Sequence, residues 1–370
     1  MGGCFFRLTG LFLLLLLPVA AVASAPIMEI RELLREKLMP TPDESLLATL
    51  SGHNLAEGLL LLDPYARYLK PEEGYAILSE TEERAGIGAE ILLQQDQVLL
   101  LPYQGSVSER AGVPYRSELL KINEQPVMGF SLLELAGLLL GEEDSWVSLL
   151  VKTPEQEQIE FRFQREVYRP LHVELLFGDE RIIRIRNFIA STTVPALRAT
   201  IDFLSVRNER DYLPNVIIDL RDSTGGELFE ALDLAGLFLP AMTELAILVN
   251  REGKREPFHA PNDIKFDHPL FILVGPHTAS AAEIFAGILQ SHGRATILGE
   301  VSFGKCSSQT EKRLSNHALL RYTNREVLLP GGKICTGVGI TPDLFLSSDQ
   351  HNDAEYVLKT INEWIAQKHH

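Results

Sequence analysis

This 370-residue chain is poor in the features that mark metal, cofactor or nucleic-acid proteins. Its three cysteines, Cys4, Cys306 and Cys335, are too few for a disulfide scaffold and form no Cys-x-x-Cys pair. His-Glu-x-x-His is also absent, so neither common zinc signature has a footing, and no cofactor or metal is expected. Positive charge is scarce: 34 Lys and Arg against 50 Asp and Glu leave a formal charge of −16. Without a basic stripe, nucleic acid and anionic membrane surfaces drop out as partners, because both are held by clustered cations. Gly-x-Ser-x-Gly is missing too, which removes the usual strand–turn–helix hydrolase signature. No internal repeat is present, and no low-complexity run follows the first 25 residues.

Composition is otherwise ordinary for a soluble globular protein, at 45% hydrophobic and 23% charged. The length suits two domains, or three small ones, with ample core. Residues 8–22 form the one long apolar run, which closes on the small residues Ala20-Ala-Val-Ala-Ser-Ala25. That layout predicts a secretory signal peptide over 1–25, cleaved after Ala23 or Ala25. The run falls short of the roughly 20 residues that span a bilayer, and Pro18 interrupts it, so no lasting membrane insertion is expected. The mature chain is expected to be exported, periplasmic or extracellular.

The densest chemistry lies in residues 269–309. An apolar run, residues 269–274, reads as a buried strand, and Gly275-Pro276 ends it. A helix follows from Ala281, with Thr278 or Ser280 at its cap. A serine at such a turn has unpaired amides and the positive helix end beside its hydroxyl, as a nucleophile requires. A cap is the commoner role for a serine there. Lys305 follows in a glycine-flanked apolar turn, and burial could lower its pKa enough to make it a base. An exposed, solvated lysine is the plainer alternative. His277 and His292 are the rival bases, in a Ser-His-Asp arrangement.

Two blocks, Thr278-Ala-Ser-Ala-Ala-Glu-Ile284 and Ser302-Phe-Gly-Lys305, with Gln309 four residues on, resemble the signature of the carboxy-terminal processing (tail-specific) serine proteases. The resemblance implies Ser280 as nucleophile, Lys305 as general base and Gln309 as an aid in orienting that base. Glu283 matches the family and is expected to support local hydrogen bonding. Asp219-Leu-Arg-Asp-Ser-Thr-Gly-Gly226 resembles the block in which one of two glycines, here Gly225 or Gly226, gives an oxyanion-hole amide; Ala281 would give the other. Two positions depart from the family: Ser291 stands in place of an aspartate, and Cys306 in place of a glycine. A Cys306–Cys335 bond clamping the lysine loop and two unrelated buried thiols are both open.

Taken in order, residues 26–84 read as a helical segment. It contains Leu62-Asp-Pro-Tyr-Ala-Arg-Tyr-Leu69, which resembles a family block but carries Tyr65 where histidine is usual, so no catalytic work is expected of it. Residues 85–165 hold five strand-like runs and two short helices, and resemble a circularly permuted PDZ module. Gly86, Ile87, Gly88 and Ala89 would then form the loop that receives a peptide's C-terminal carboxylate. Pro114-Tyr-Arg-Ser-Glu118 replaces the family's usual turn. Residues 166–350 read as an α/β protease core, with 181–186 as an exposed strand and 318–322 and 326–329 as separate strands. Residues 351–370 form a last helix and tail. The expected fold class is mixed α/β, with an inserted PDZ-like unit and a helical N-terminal segment. The expected partners are protein or peptide substrates with free C-termini. The alternative is a catalytically impaired peptide-binding scaffold.

Overall fold

The computed structural model describes residues 25–71, 85–94, 97–176, 182–207, 215–261 and 266–368. All but the last residue of the expected signal peptide, and the two terminal histidines, lie outside them. No helix among the described residues is long and apolar enough to cross a membrane. The fold is mixed α/β, as the sequence predicts.

At the centre is a six-stranded sheet in the order Val173–Leu175, Ile182–Ile185, Val216–Asp219, Leu270–Val274, Ala295–Gly299 and Leu344–Phe345. Its pairings are parallel except the first. Alternate side chains enter two cores. Ile183, Val216, Ile218, Ile272 and Val274 meet the helices Thr193–Arg207, Leu228–Gly236 and Ala281–Ser291. Ile182, Ile217, Phe271 and Leu273 meet Val357 and Ile361 of the C-terminal helix Ala354–Lys368. A sheet covered on both faces explains why these strands read as unbroken apolar runs.

A second, antiparallel sheet carries Arg67–Leu69, Glu244–Asn250, Arg255–His259, Ser307–Arg313, Leu319–Leu329 and Lys333–Ile334. The segments 318–322 and 326–329 are parts of one eleven-residue strand, Leu319–Leu329. Three strands of five or more residues escape sequence reading: Glu244–Asn250, Arg255–His259 and Ser307–Arg313. The last two are largely polar and are paired on one side only, so they lack an apolar alternation.

One expectation is overturned. The described part of 181–186, Ile182–Ile185, is an interior strand and not an exposed one. Its alternating arginines mislead because they are buried in ion pairs. Arg184 contacts Asp219 at 3.2 Å and Glu174 at 4.0 Å, and Arg186 contacts Glu174 at 3.0 Å. Buried charge survives only when partnered in this way.

The helices Ile27–Lys37, Glu44–Thr49 and Leu55–Leu62 pack through Ile30, Leu34 and Leu59 onto Leu320 and Tyr322 of the second sheet and Leu314 of the turn beside them. Asp43 starts the second helix by accepting the amides of Ser45 and Leu46. A third unit is an antiparallel sheet of Ala89–Gln94, Gln97–Pro102, Ser117–Ile122, Trp146–Lys152 and Gln158–Gln164, extended by Gln125–Pro126. With the helices Val107–Arg110 and Leu132–Leu139 it closes over a core of its own. Its departing turn docks on the centre: Tyr115 donates to Asp222 at 3.1 Å, and Arg116 pairs with the same carboxylate.

Candidate active site

The carboxyl ends of the parallel strands gather the site, where open α/β sheets usually place their ligands. Strand Leu270–Val274 leads through Gly275 into the turn before helix Ala281–Ser291. Thr278 fixes that turn: its hydroxyl donates to the Leu220 carbonyl at 2.8 Å and accepts the Gly275 amide at 2.9 Å. The Ala279 amide donates to Ser223 at 3.0 Å. Two consecutive strand ends are thereby tied together. Ser280 then takes φ +56° and ψ −122°, a backbone conformation that costs a non-glycine residue about 1–3 kcal/mol. Such strain persists only where neighbours hold it.

Gly225 is one of those neighbours. A Cβ there would come within 2.6 Å of the Ala279 carbonyl and 2.8 Å of both the Ala281 nitrogen and the Ser280 Cβ. A Cβ on Gly226 would meet the Phe188 carbonyl at 2.2 Å. Both glycines have positive φ, +98° and +136°, so no other residue fits this approach of two backbones. The Ala281 N–H opens the helix with no protein acceptor among the described residues.

Glu283 connects the serine turn to the lysine loop. Its carboxylate is fully buried. One oxygen accepts the amides of Ser280 at 3.0 Å and Lys305 at 2.7 Å. The other accepts the Gly304 amide at 2.6 Å and the Ser302 hydroxyl at 2.5 Å. The Phe303 amide adds a bond to the Thr278 carbonyl at 3.0 Å. Sequence reading gave Glu283 a local part only, because hydrogen bonds across 22 residues leave no mark on spacing.

Ser280, Lys305, Gln309 and Gly226 all line one cleft of about 550 Å³. Leu228, Phe229 and Ile284 give it an apolar wall; Glu227, Glu311 and Arg321 give it charge. The fold therefore brings together the serine, the lysine, the glutamine and both glycines, Gly226 in the cleft lining and Gly225 against the Ser280 turn. Burial holds the Lys305 amine below the usual lysine range, and nearby Arg321 and Arg67 push the same way against Asp63 and Glu283. Gln309 donates to Ser307 and Thr323, and among the described residues it makes no hydrogen bond to Lys305. The sulfurs of Cys306 and Cys335 are bonded, with the Cα atoms 5.5 Å apart, which ties the residue after the lysine to the 335–339 turn.

The rival bases are placed elsewhere. His292 ends the helix that Ser280 begins and binds the Glu244 carbonyl at 2.7 Å. His277 is absent from the cleft lining, and burial lowers its pKa. Ser291, the last residue of the same helix, lies about 16 Å from Ser280 by helical rise.

A second cleft, of about 190 Å³, lies in the small unit. Gly86, Ile87, Gly88, Ala89 and Ile91 form one side, Ala136, Leu139 and Leu140 the other. The amides of Ile87 and Gly88 have no protein acceptor among the described residues.

Residues 182–346 match the profile of Peptidase family S41. A probable CtpA-like serine protease of Staphylococcus aureus is 29% identical over 306 residues, which cover 81% of this chain and 60% of that protein. Its counterpart in Staphylococcus haemolyticus is 28% identical over 302 residues, covering 80% and 60%. The chain thus spans 60% of the length of these relatives. Among solved structures, a photosystem II D1 C-terminal processing protease superposes with a TM-score of 0.64 at 23% identity, over 90% of this chain and 95% of that one. That likeness is one of fold.

Proposed function

We propose that this chain, whose residues 182–346 match the profile of peptidase family S41, belongs to that family and is a serine endopeptidase working through a Ser280–Lys305 dyad. The observation that carries the reading is the single cleft shared by Ser280, Lys305 and Gly226, which are distant in sequence. The neutral Lys305 amine takes the proton from the Ser280 hydroxyl as Oγ attacks the scissile carbonyl. The resulting oxyanion is held by the Ala281 N–H and by an amide of the Gly225–Gly226 pair. Collapse expels the amine product, to which Lys305 returns the proton, and leaves an acyl-serine. Water, deprotonated by the same amine, then releases the acid product. The strained Ser280 turn supports this assignment, since such backbone clusters at active sites. Gln309 acts one step removed, by fixing Ser307 and Thr323 beside the lysine loop.

Substrates are protein or peptide chains, and a free C-terminus seated in the cleft of residues 86–91 and 136–140 selects them. The free Ile87 and Gly88 amides would receive the terminal carboxylate, and a strand added along Ala89–Gln94 would hold the tail, as in PDZ recognition. Export by the leader places the enzyme outside the cytoplasm.

The test pairs cleavage with covalent labelling. The wild-type protein is expected to cut a peptide and to be labelled by a fluorophosphonate, and Ser280→Ala to do neither while keeping its circular dichroism. Full cleavage by Ser280→Ala would refute the assignment. A wild-type protein that binds tails but neither cuts nor labels would be a peptide-binding scaffold.

A further inference from the structure

The turn after helix Leu55–Leu62 has no part in the mechanism above, yet it reaches the lysine. The Lys305 Nζ stands 4.9 Å from the centroid of the Tyr65 ring. The amine lies over the ring, and Tyr65 itself is not a residue of the cleft wall. Asp63, buried at the helix end, fixes the backbone that carries the ring. Its carboxylate accepts the Tyr65 amide at 2.9 Å, and also the Thr323 amide at 2.7 Å and hydroxyl at 3.2 Å. Thr323 in turn takes a hydrogen bond from Gln309 at 3.4 Å. A segment 240 positions upstream is thus fastened to the strand beside the lysine loop.

We propose that Tyr65 is a positioning residue for the Lys305 amine: its ring, anchored by Asp63, screens the amine from water. The proposal rests on the Ser–Lys reading for its catalytic meaning, though the burial it describes does not depend on that reading. Two effects of the ring oppose each other. A ring face attracts an ammonium, whereas exclusion of water disfavours it. Burial is the largest cause of the lowered Lys305 pKa, with Arg321 and Arg67 adding to it and Asp63 and Glu283 opposing, and the ring is one of the groups packed against the amine. Burial likewise raises the Tyr65 hydroxyl, helped by Glu283, Asp63 and Glu326.

The experiment is competitive acetylation of the full chain with acetic anhydride across a pH series, with the Lys305 peptide quantified by mass spectrometry. The midpoint for Lys305 is expected to rise in Tyr65→Ala and to stay near wild type in Tyr65→Phe, which keeps the ring. Tyr65→Gln, of similar length but hydrated, is expected to raise it as well and serves if the alanine variant does not fold. The acidic limb of kcat/KM should move with the midpoint, and below it each unit of upward movement costs about tenfold in rate at fixed pH. An unchanged or lowered midpoint in the alanine and glutamine variants would overturn the screening role. So would an equal rise in Tyr65→Phe, which would assign the effect to the hydroxyl. Cleavage that survives Lys305→Met would instead defeat the Ser–Lys reading and leave the labelling result standing.

Discussion

One oxygen of the Glu283 carboxylate accepts both the Ser280 amide, at 3.0 Å, and the Lys305 amide, at 2.7 Å. The two residues assigned to the dyad are therefore registered to each other through one buried side chain. Glu283→Gln would replace an acceptor oxygen with a donor NH₂ and leave at least one of the amides or the Ser302 hydroxyl without a partner. We expect a stability loss of about 2–4 kcal/mol by denaturant unfolding, because buried charge-assisted bonds are lost and a donor is orphaned. Activity should fall further than stability explains. A variant with wild-type stability would show that the carboxylate does not bridge the loops.

The pH dependence of cleavage follows from the Lys305 environment. The base proposed above must be neutral, and burial lowers the pKa of this amine. Activity should therefore rise with pH through a midpoint below the ordinary lysine range and be lost as pH falls. Lys305→Arg should be inactive throughout, since a guanidinium stays charged. Measuring kcat/KM from pH 5 to 10 checks both; a limb at the ordinary lysine pKa would contradict the buried amine.

The Cys306–Cys335 bond closes a loop with a sequence separation of 29. In the chain-entropy description a loop of that length contributes about 3–4 kcal/mol. The double variant Cys306→Ser, Cys335→Ser should lose stability on that scale, measured by denaturant unfolding. Lys305 lies directly beside the bond, so kcat should fall along with it. Equal stability with and without reductant would argue against the clamp.

Glu90 supplies a pH-dependent stability term at the contact between the small unit and the centre. Burial pushes its carboxyl up to about 7, with Asp222 and Glu174 adding to the rise and Arg186 opposing. One of its oxygens is buried without a partner among the described residues. A folded-state pKa above the unfolded value means that the proton favours the folded state. This contribution is complete below about pH 4.5 and is lost as pH climbs through 7, a change of about 3 kcal/mol. Glu90→Gln should flatten the stability profile across that window. An unaltered slope would show that the group titrates normally.

Much of the site was legible in the sequence for local reasons. The apolar run 270–274, its Gly-Pro stop and the small-residue helix start are short-range signals, and they fixed where Ser280 stands in its turn. The paired glycines at 225 and 226 announced an unusual backbone in the same way. The strands Arg255–His259 and Ser307–Arg313 escaped because their largely polar residues carry no apolar period. Ile182–Ile185 was misread because paired arginines look solvated until their partners Glu174 and Asp219 are in view.

The sequence alone, through periodicity and turn chemistry, determined the α/β class and the serine at a helix start, and by resemblance to a family block it pointed to the two glycines. Only the tertiary structure decided that Lys305 reaches the same cleft, that Glu283 binds both loops and that Tyr65 lies over the amine. The physical reason is range. Backbone preference is set by near neighbours, whereas the burial of an amine depends on side chains that folding collects from three separate parts of the chain.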